Sequence, residues 1–173
     1  DAAMQARGDT SSRARARLDT LLSEYWRGTN PLKARELAAR SIKLYRERYS
    51  DDPDLANALH NAGLIEGSLI NMAGAEVFYR QALATMIRLK AHDAYLVQPM
   101  VMLAETQRLM LLAEPAEANF HEALAISKRV NGDSHVDTLQ TQLRYGQYLR
   151  VVGRNRESLQ VLTSAEKSAV QKL

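Results

Sequence analysis

Small and large residues recur along this chain at a spacing of about forty. The run Ala75-Glu76-Val77-Phe78-Tyr79-Arg80-Gln81-Ala82-Leu83-Ala84 is matched 41 residues later by Ala116-Glu117-Ala118-Asn119-Phe120-His121-Glu122-Ala123-Leu124-Ala125. The small residues, the aromatic and the Ala-Leu pair coincide. A weaker echo follows 42 residues on, with Ser158, Leu162 and Ala165 in the small, large and small slots. A second register, Gly63, Ala104 and Gly146, repeats at offsets of 41 and 42. Each of these three lies in an amphipathic stretch that precedes the matching run. The repeating unit is therefore a pair of helices with a small residue in each at their closest approach. Enlarging such a packed position costs about 1–3 kcal/mol.

Turn signals separate the helices. Asp52-Pro53 and Asn131-Gly132-Asp133-Ser134 are breakers between units. Pro53 suits a first helical turn with Asp52 as its cap, and Pro31 and Pro115 fall where the second helix of a unit should begin. Gly153 has the character of a C-terminal stop. Pro99 conflicts with a helix starting near Ala94, and predicts either a later start or a kink. Shifting the clearer units back by 41 aligns Leu18 with Leu59, Ala34 with Ala75, Ala38 with Tyr79 and Ser41 with Ala82, which defines a degenerate first unit. Eight helices are predicted near 10–27, 31–49, 53–69, 73–91, 94–111, 115–130, 135–152 and 155–171. Together they form a single all-α solenoid domain over 1–173. Its repeats are 10–51 (degenerate), 52–93, 94–134 and 135–173.

Composition agrees with that reading. Of 173 residues, 46% are hydrophobic and 25% charged, and only 4 are proline, which suits a helical globular chain. With no cysteine, disulfides and thiolate-bound zinc are excluded, and cytoplasm and bacterial periplasm are equally compatible. The longest apolar run near the middle, Leu109 to Ala113, falls far short of the roughly 20 residues of a membrane span. No membrane contact is expected within this segment. The chain begins at Asp1 without a signal-like pattern, and is read as a fragment of a longer protein. The net charge of +3 is mild, and the cluster Arg13, Arg15 and Arg17 has no interleaved aromatic residues for base stacking. It is read as a solvated helix face, and no nucleic-acid partner is expected.

Motifs for chemistry are absent. No two of His60, His92, His121 and His135 are spaced i, i+3 or i, i+4, so no metal site is expected. There is no nucleophile elbow, phosphate-binding loop or dinucleotide fingerprint, and the chain is expected to be non-catalytic and without cofactor. Asp51, Asp52 and Asp54 read as an exposed cap region. Tyr25-Trp26 is expected to form a buried cap over the first unit. Met100, Met102 and Met110 are expected to fill gaps in the core.

Two-helix units with this small–aromatic–small spacing resemble tetratricopeptide repeats. Their period exceeds the usual 34 or so residues and is similar to the kinesin-light-chain type. The segments that carry the resemblance are Leu59-His60-Asn61-Ala62-Gly63 and the caps Asp52-Pro53-Asp54 and Ser134-His135-Val136-Asp137. It covers residues 52–173 well and 10–51 poorly. It implies a right-handed superhelix whose concave side is lined by the first helix of each unit, and a partner that is a protein or peptide. The implied groove positions are Asn57, His60, Asn61 and Leu64, then Gln98, Val101, Met102, Glu105 and Arg108, then Gln140, Leu143, Arg144, Gln147 and Arg150. The Lys/Asn clamp with which chaperone-binding members hold a C-terminal carboxylate has no counterpart in these slots. Residues 132–157 also resemble the repeat regions that follow bacterial serine/threonine kinase domains, which implies a regulatory or sensory segment of a signalling protein. The alternative is a self-associating scaffold, a homodimer through an apolar end at Val161, Leu162, Val170 and Leu173.

Overall fold

A computed structural model describes residues 2–170, with side chains described from residue 11 onward. Among the described residues there are eight α-helices and no strand. They are α1 (Ala2–Trp26), α2 (Pro31–Arg48), α3 (Pro53–Ser68), α4 (Met72–Arg88), α5 (Ala94–Leu109), α6 (Ala113–Asn131), α7 (Val136–Val151) and α8 (Asn155–Val170). Seven both start and stop within about three residues of their predicted bounds. The exception is α1, which begins at Ala2 because the residues before position 10 are mostly helix formers.

The helices divide into two compact units, one ending at Ala91 and the other starting at His92. In the first, α1 packs on α2 and α3 on α4, α2 packs on α3, and α1 touches α3. In the second, α5 packs on α6 and α7 on α8, α6 packs on α7, and α5 touches α7. Each unit is thus a pair of stacked hairpins in which the two first helices meet side by side.

The small residues sit where the helices come closest. A Cβ built on Gly63 would lie 2.5 Å from the Tyr79 ring, and one on Gly146 would lie 2.7 Å from Leu162. Ala104 holds the same slot and is buried, as are Tyr79 and Phe120 opposite. The weaker third echo has its own lock, because the Ser158 hydroxyl donates to the Gly146 carbonyl at 2.8 Å.

The turns inside the hairpins repeat too. Ile70, Leu111 and Gly153 each adopt positive φ, at 59°, 62° and 83°. The next residue's N–H then closes the preceding helix, from Asn71 to Glu66 O, Leu112 to Gln107 O and Arg154 to Leu149 O, at 2.8–2.9 Å. This satisfies carbonyls that a helix end leaves open. Asn30 and Asp52 cap α2 and α3 through their side chains, with Pro31 and Pro53 in the first turn.

Four expectations need correction. Pro115 is not the start of α6, which begins two residues earlier at Ala113 and has no side-chain cap. Pro99 does not delay α5: the helix runs from Ala94 through the buried Pro99, which forgoes one backbone bond in the second turn. Of the Tyr25-Trp26 pair only Trp26 packs, half-buried, against the core of the first unit, with Lys33 Nζ 3.8 Å from its ring centroid, while Tyr25 is 72% exposed. The 41-residue step fails on α1, where Leu18 is 48% exposed although its counterpart Leu59 is 2% exposed. The register of α1 is set by polar contacts instead. Buried Asp19 accepts both Arg40 Nε and Nη2, at 2.7 and 2.6 Å, and the Ser41 hydroxyl donates to Ala16 O at 2.8 Å.

Candidate binding crevices

In the first unit the meeting of α1 and α3 leaves a cavity of about 380 Å³. Arg17, Thr20, Leu21 and Glu24 of α1 form one wall, with Arg27 just beyond the helix end. Asp54, Asn57, His60, Asn61 and Leu64 of α3 form the other, and Tyr45 of α2 closes it. The four predicted groove residues of this unit, Asn57, His60, Asn61 and Leu64, are therefore together. They differ in kind. Asn57 is exposed, whereas Asn61 is buried and donates through Nδ2 to Ser23 Oγ at 2.6 Å. Ser23 in turn donates to the Thr20 carbonyl at 2.6 Å. Asn61 is thus a brace between α3 and α1 as well as a lining residue.

Four buried side-chain polar atoms have no hydrogen-bond partner among the described residues, and three belong to residues of this one cavity: Tyr45 Oη, His60 Nδ1 and Asn61 Oδ1. A buried polar atom left unpaired costs about 1–3 kcal/mol, so such a cluster is unusual. Burial, helped by the Arg27 charge, lowers the His60 pKa to about 4, so its imidazole is neutral at pH 7. Its ring lies 5.5 Å from that of Tyr79, centroid to centroid. Burial likewise pushes the Tyr45 hydroxyl up to about 12, with Asp54 and Asp52 adding to the effect.

The second unit repeats the arrangement on a smaller scale. Between α5 and α7 lies a cavity of about 280 Å³. Val97, Gln98 and Val101 line one side, and Asp137, Gln140, Thr141 and Arg144 the other. The exposed amides Asn57, Gln98 and Gln140 thus each reach one of these two crevices. Other predicted groove residues lie apart from them. Glu105 and Arg108 pair with each other at 2.8 Å, Met102 is half-buried, and Gln147 and Arg150 are exposed outside both cavities. Among the described residues no group of three or more acidic or histidine side chains could hold a metal ion, and no helix is long and apolar enough to cross a membrane.

Sequence reasoning missed the α1 wall and Tyr45. Both belong to the degenerate first repeat, where the periodic signal is weakest, and Tyr45 comes from a second helix.

A family model, described as tetratricopeptide repeat, matches residues 113–137, which span α6 and the start of α7. No curated protein matches the sequence. Solved structures do match over nearly the whole chain. The kinesin-light-chain, nearly identical TPR-like repeats of Podosopora anserina superpose with a TM-score of 0.81 at 14% identity, covering 93% of this chain and 78% of that one. Aspartyl phosphate phosphatase F from Bacillus subtilis gives 0.80 at 12% identity over 92% of this chain, which spans only 41% of that protein. Bacillus thuringiensis PlcR, solved in complex with the peptide PapR7 and DNA, gives 0.57 at 12% identity, covering 94% and 69%. The fold is that of an all-α, tetratricopeptide-like solenoid of helical hairpins.

Proposed function

We propose that this chain is a non-catalytic interaction module that binds a peptide or an extended protein segment along the first helices of its hairpins. The observation that carries this reading is the placement of Asn57, Gln98 and Gln140. Three amides of one repeat register line two crevices, and each offers both a donor and an acceptor to a peptide backbone. Val97 and Val101 supply apolar floor in the second crevice, and Arg144 supplies a fork for a carboxylate. That PlcR, of similar fold, is solved with a peptide bound supports the class of partner. The finer setting, a regulatory segment of a larger signalling protein such as a bacterial serine/threonine kinase, rests on the resemblance of residues 132–157.

NMR mapping tests the module reading. A peptide selected on the 173-residue chain from a displayed library should perturb amide resonances of α1, α3, α5 and α7. Perturbation confined to α2, α4, α6 and α8 would exclude the crevices as the site.

One observation favours a second reading, a self-associating scaffold. On the last hairpin Val151, Leu159 and Val170 are exposed, and of α8 only Ser158 is buried. Of the expected apolar end only Val170 is exposed: Val161 and Leu162 are half-buried, Leu162 facing Gly146 inside the hairpin, and Leu173 lies outside the described residues. Light scattering over a range of concentrations separates the readings: a dimer dispersed by Leu159→Glu would favour the scaffold.

A further inference from the structure

We propose that the outward face of α1 is a dimer seam, on which the α1 of a second copy of this chain packs antiparallel. The proposal does not rest on the groove reading and uses none of the last-hairpin residues. It starts from an inversion. A surface helix turns its apolar stripe to the core and its polar face to water. α1 does the reverse. The residues it buries are Ala16, Asp19, Thr20 and Ser23, and the three polar ones bond to α2 and α3. Leu18, Leu21, Leu22 and Tyr25 are left outside, between 37% and 72% exposed. Single exposed apolar residues need no explanation, but four large ones in one stripe do. With the exposed Ala14, the positions Leu18, Leu21 and Tyr25 are spaced 4, 3 and 4 apart, the alternation of a coiled-coil seam.

The charges choose the occupant. Arg17 and Glu24 are exposed, flank the seam on one edge, beside the α1–α3 cavity, and have no ion-pair partner among the described residues. Let a second α1 lie antiparallel, with Leu18 of each copy layered on Leu21 of the other. Arg17 of each copy then comes beside Glu24 of the other, so two reciprocal ion pairs frame the leucine layers. In the outer layers the small Ala14 makes room for the ring of Tyr25. A parallel pairing would set Arg17 against Leu22 and leave both charges unmatched. The antiparallel interface is isologous and closes at two copies. Because α1 is already folded on α2, pairing carries no cost of forming the helix. The seam is short, below the area of a standard interface, and the dimer is expected to dissociate in about the micromolar range.

Sedimentation equilibrium of the 173-residue chain, from micromolar to near-millimolar concentration, should show monomer and dimer in exchange. Leu18→Glu should leave only monomer, with unchanged helical circular dichroism because Leu18 is exposed. Leu159→Glu on the last hairpin should leave the dimer as it is. Arg17→Glu should weaken it about tenfold, and adding Glu24→Arg in the same chain should restore it, because the pairs are then reversed instead of lost. Crosslinking reads the orientation, since the chain has no cysteine of its own. Ala14→Cys and Tyr25→Cys variants, mixed and oxidised, should form a disulfide with each other, and neither should link to itself. In the antiparallel pair like positions stand eleven residues apart, about 16 Å along the axis, too far for a disulfide. Monomer at every concentration, a dimer that survives Leu18→Glu, or self-linking of either cysteine variant would overturn the proposal. A dimer dispersed by Leu159→Glu would also overturn it, and would place the interface on the last hairpin. No peptide enters these measurements, so their outcome is independent of the groove reading.

Discussion

Gly63 and Tyr79 are in direct contact across the second hairpin, the bare Cα of one facing the ring of the other, and a single added carbon would come within 2.5–2.8 Å of three ring atoms. Tyr79 is buried and cannot swing away. Gly63→Leu should therefore destabilise the chain by about 1–3 kcal/mol. Gly67 provides the control. It lies one turn further along α3 with nothing within 4 Å of its added carbon. Gly67→Ala should be neutral or stabilising by up to about 1 kcal/mol, the helix-propensity difference. Urea denaturation of the two variants beside the parent measures both.

The hairpin turns lead to a stabilising prediction. Ile70 and Leu111 are 83% and 90% exposed and hold left-handed backbone, where Gly153 does the same job in the last repeat. A left-handed residue with a Cβ costs about 1–2 kcal/mol, and neither side chain offsets that by burial. Ile70→Gly and Leu111→Gly should each raise stability by about 0.5–1 kcal/mol, after the greater freedom of glycine in the unfolded chain is subtracted. Thermal melting of the single and double variants checks this, with the double close to additive because the sites lie in different units.

His60 makes stability depend on pH. Its pKa is about 4 in the folded chain against 6.5 in its ordinary state. Above pH 6.5 neither form binds the proton and the contribution is constant. As pH falls from 6.5 to 4 the unfolded chain takes up a proton that the folded chain refuses, and stability drops by about 3 kcal/mol. Below the folded value both forms are protonated and the dependence ends. Melting temperatures of the parent and His60→Phe between pH 7.5 and 3.5 should diverge over that window. Parallel curves would mean that His60 titrates normally.

Much of the fold was legible because one physical requirement, a small residue where two helices touch, leaves a mark in the residue types. Gly63, Ala104 and Gly146 carry it openly. The turns were less legible: only Gly153 announces positive φ, while Ile70 and Leu111 adopt it against their own preference, held by the bonds from Asn71 and Leu112. On α1 the hydrophobic step of 41 pointed to Leu18, but the buried positions there are Ala16, Asp19, Thr20 and Ser23, and the three polar ones have partners on other helices. For the same reason Asn61 read as a free groove amide and turned out to be a buried brace. The exposed amides Asn57, Gln98 and Gln140 were legible because surface positions of a repeat keep their register without needing a partner.

The role of those three amides is the point at which the account is most exposed. All are solvent-facing, so replacing them together with Ala should leave the fold intact. Calorimetric titration of a library-selected peptide against the parent and the Asn57→Ala/Gln98→Ala/Gln140→Ala variant measures their contribution. The account predicts a loss of at least about tenfold in affinity with unchanged melting temperature. Equal affinity in the two proteins would contradict it.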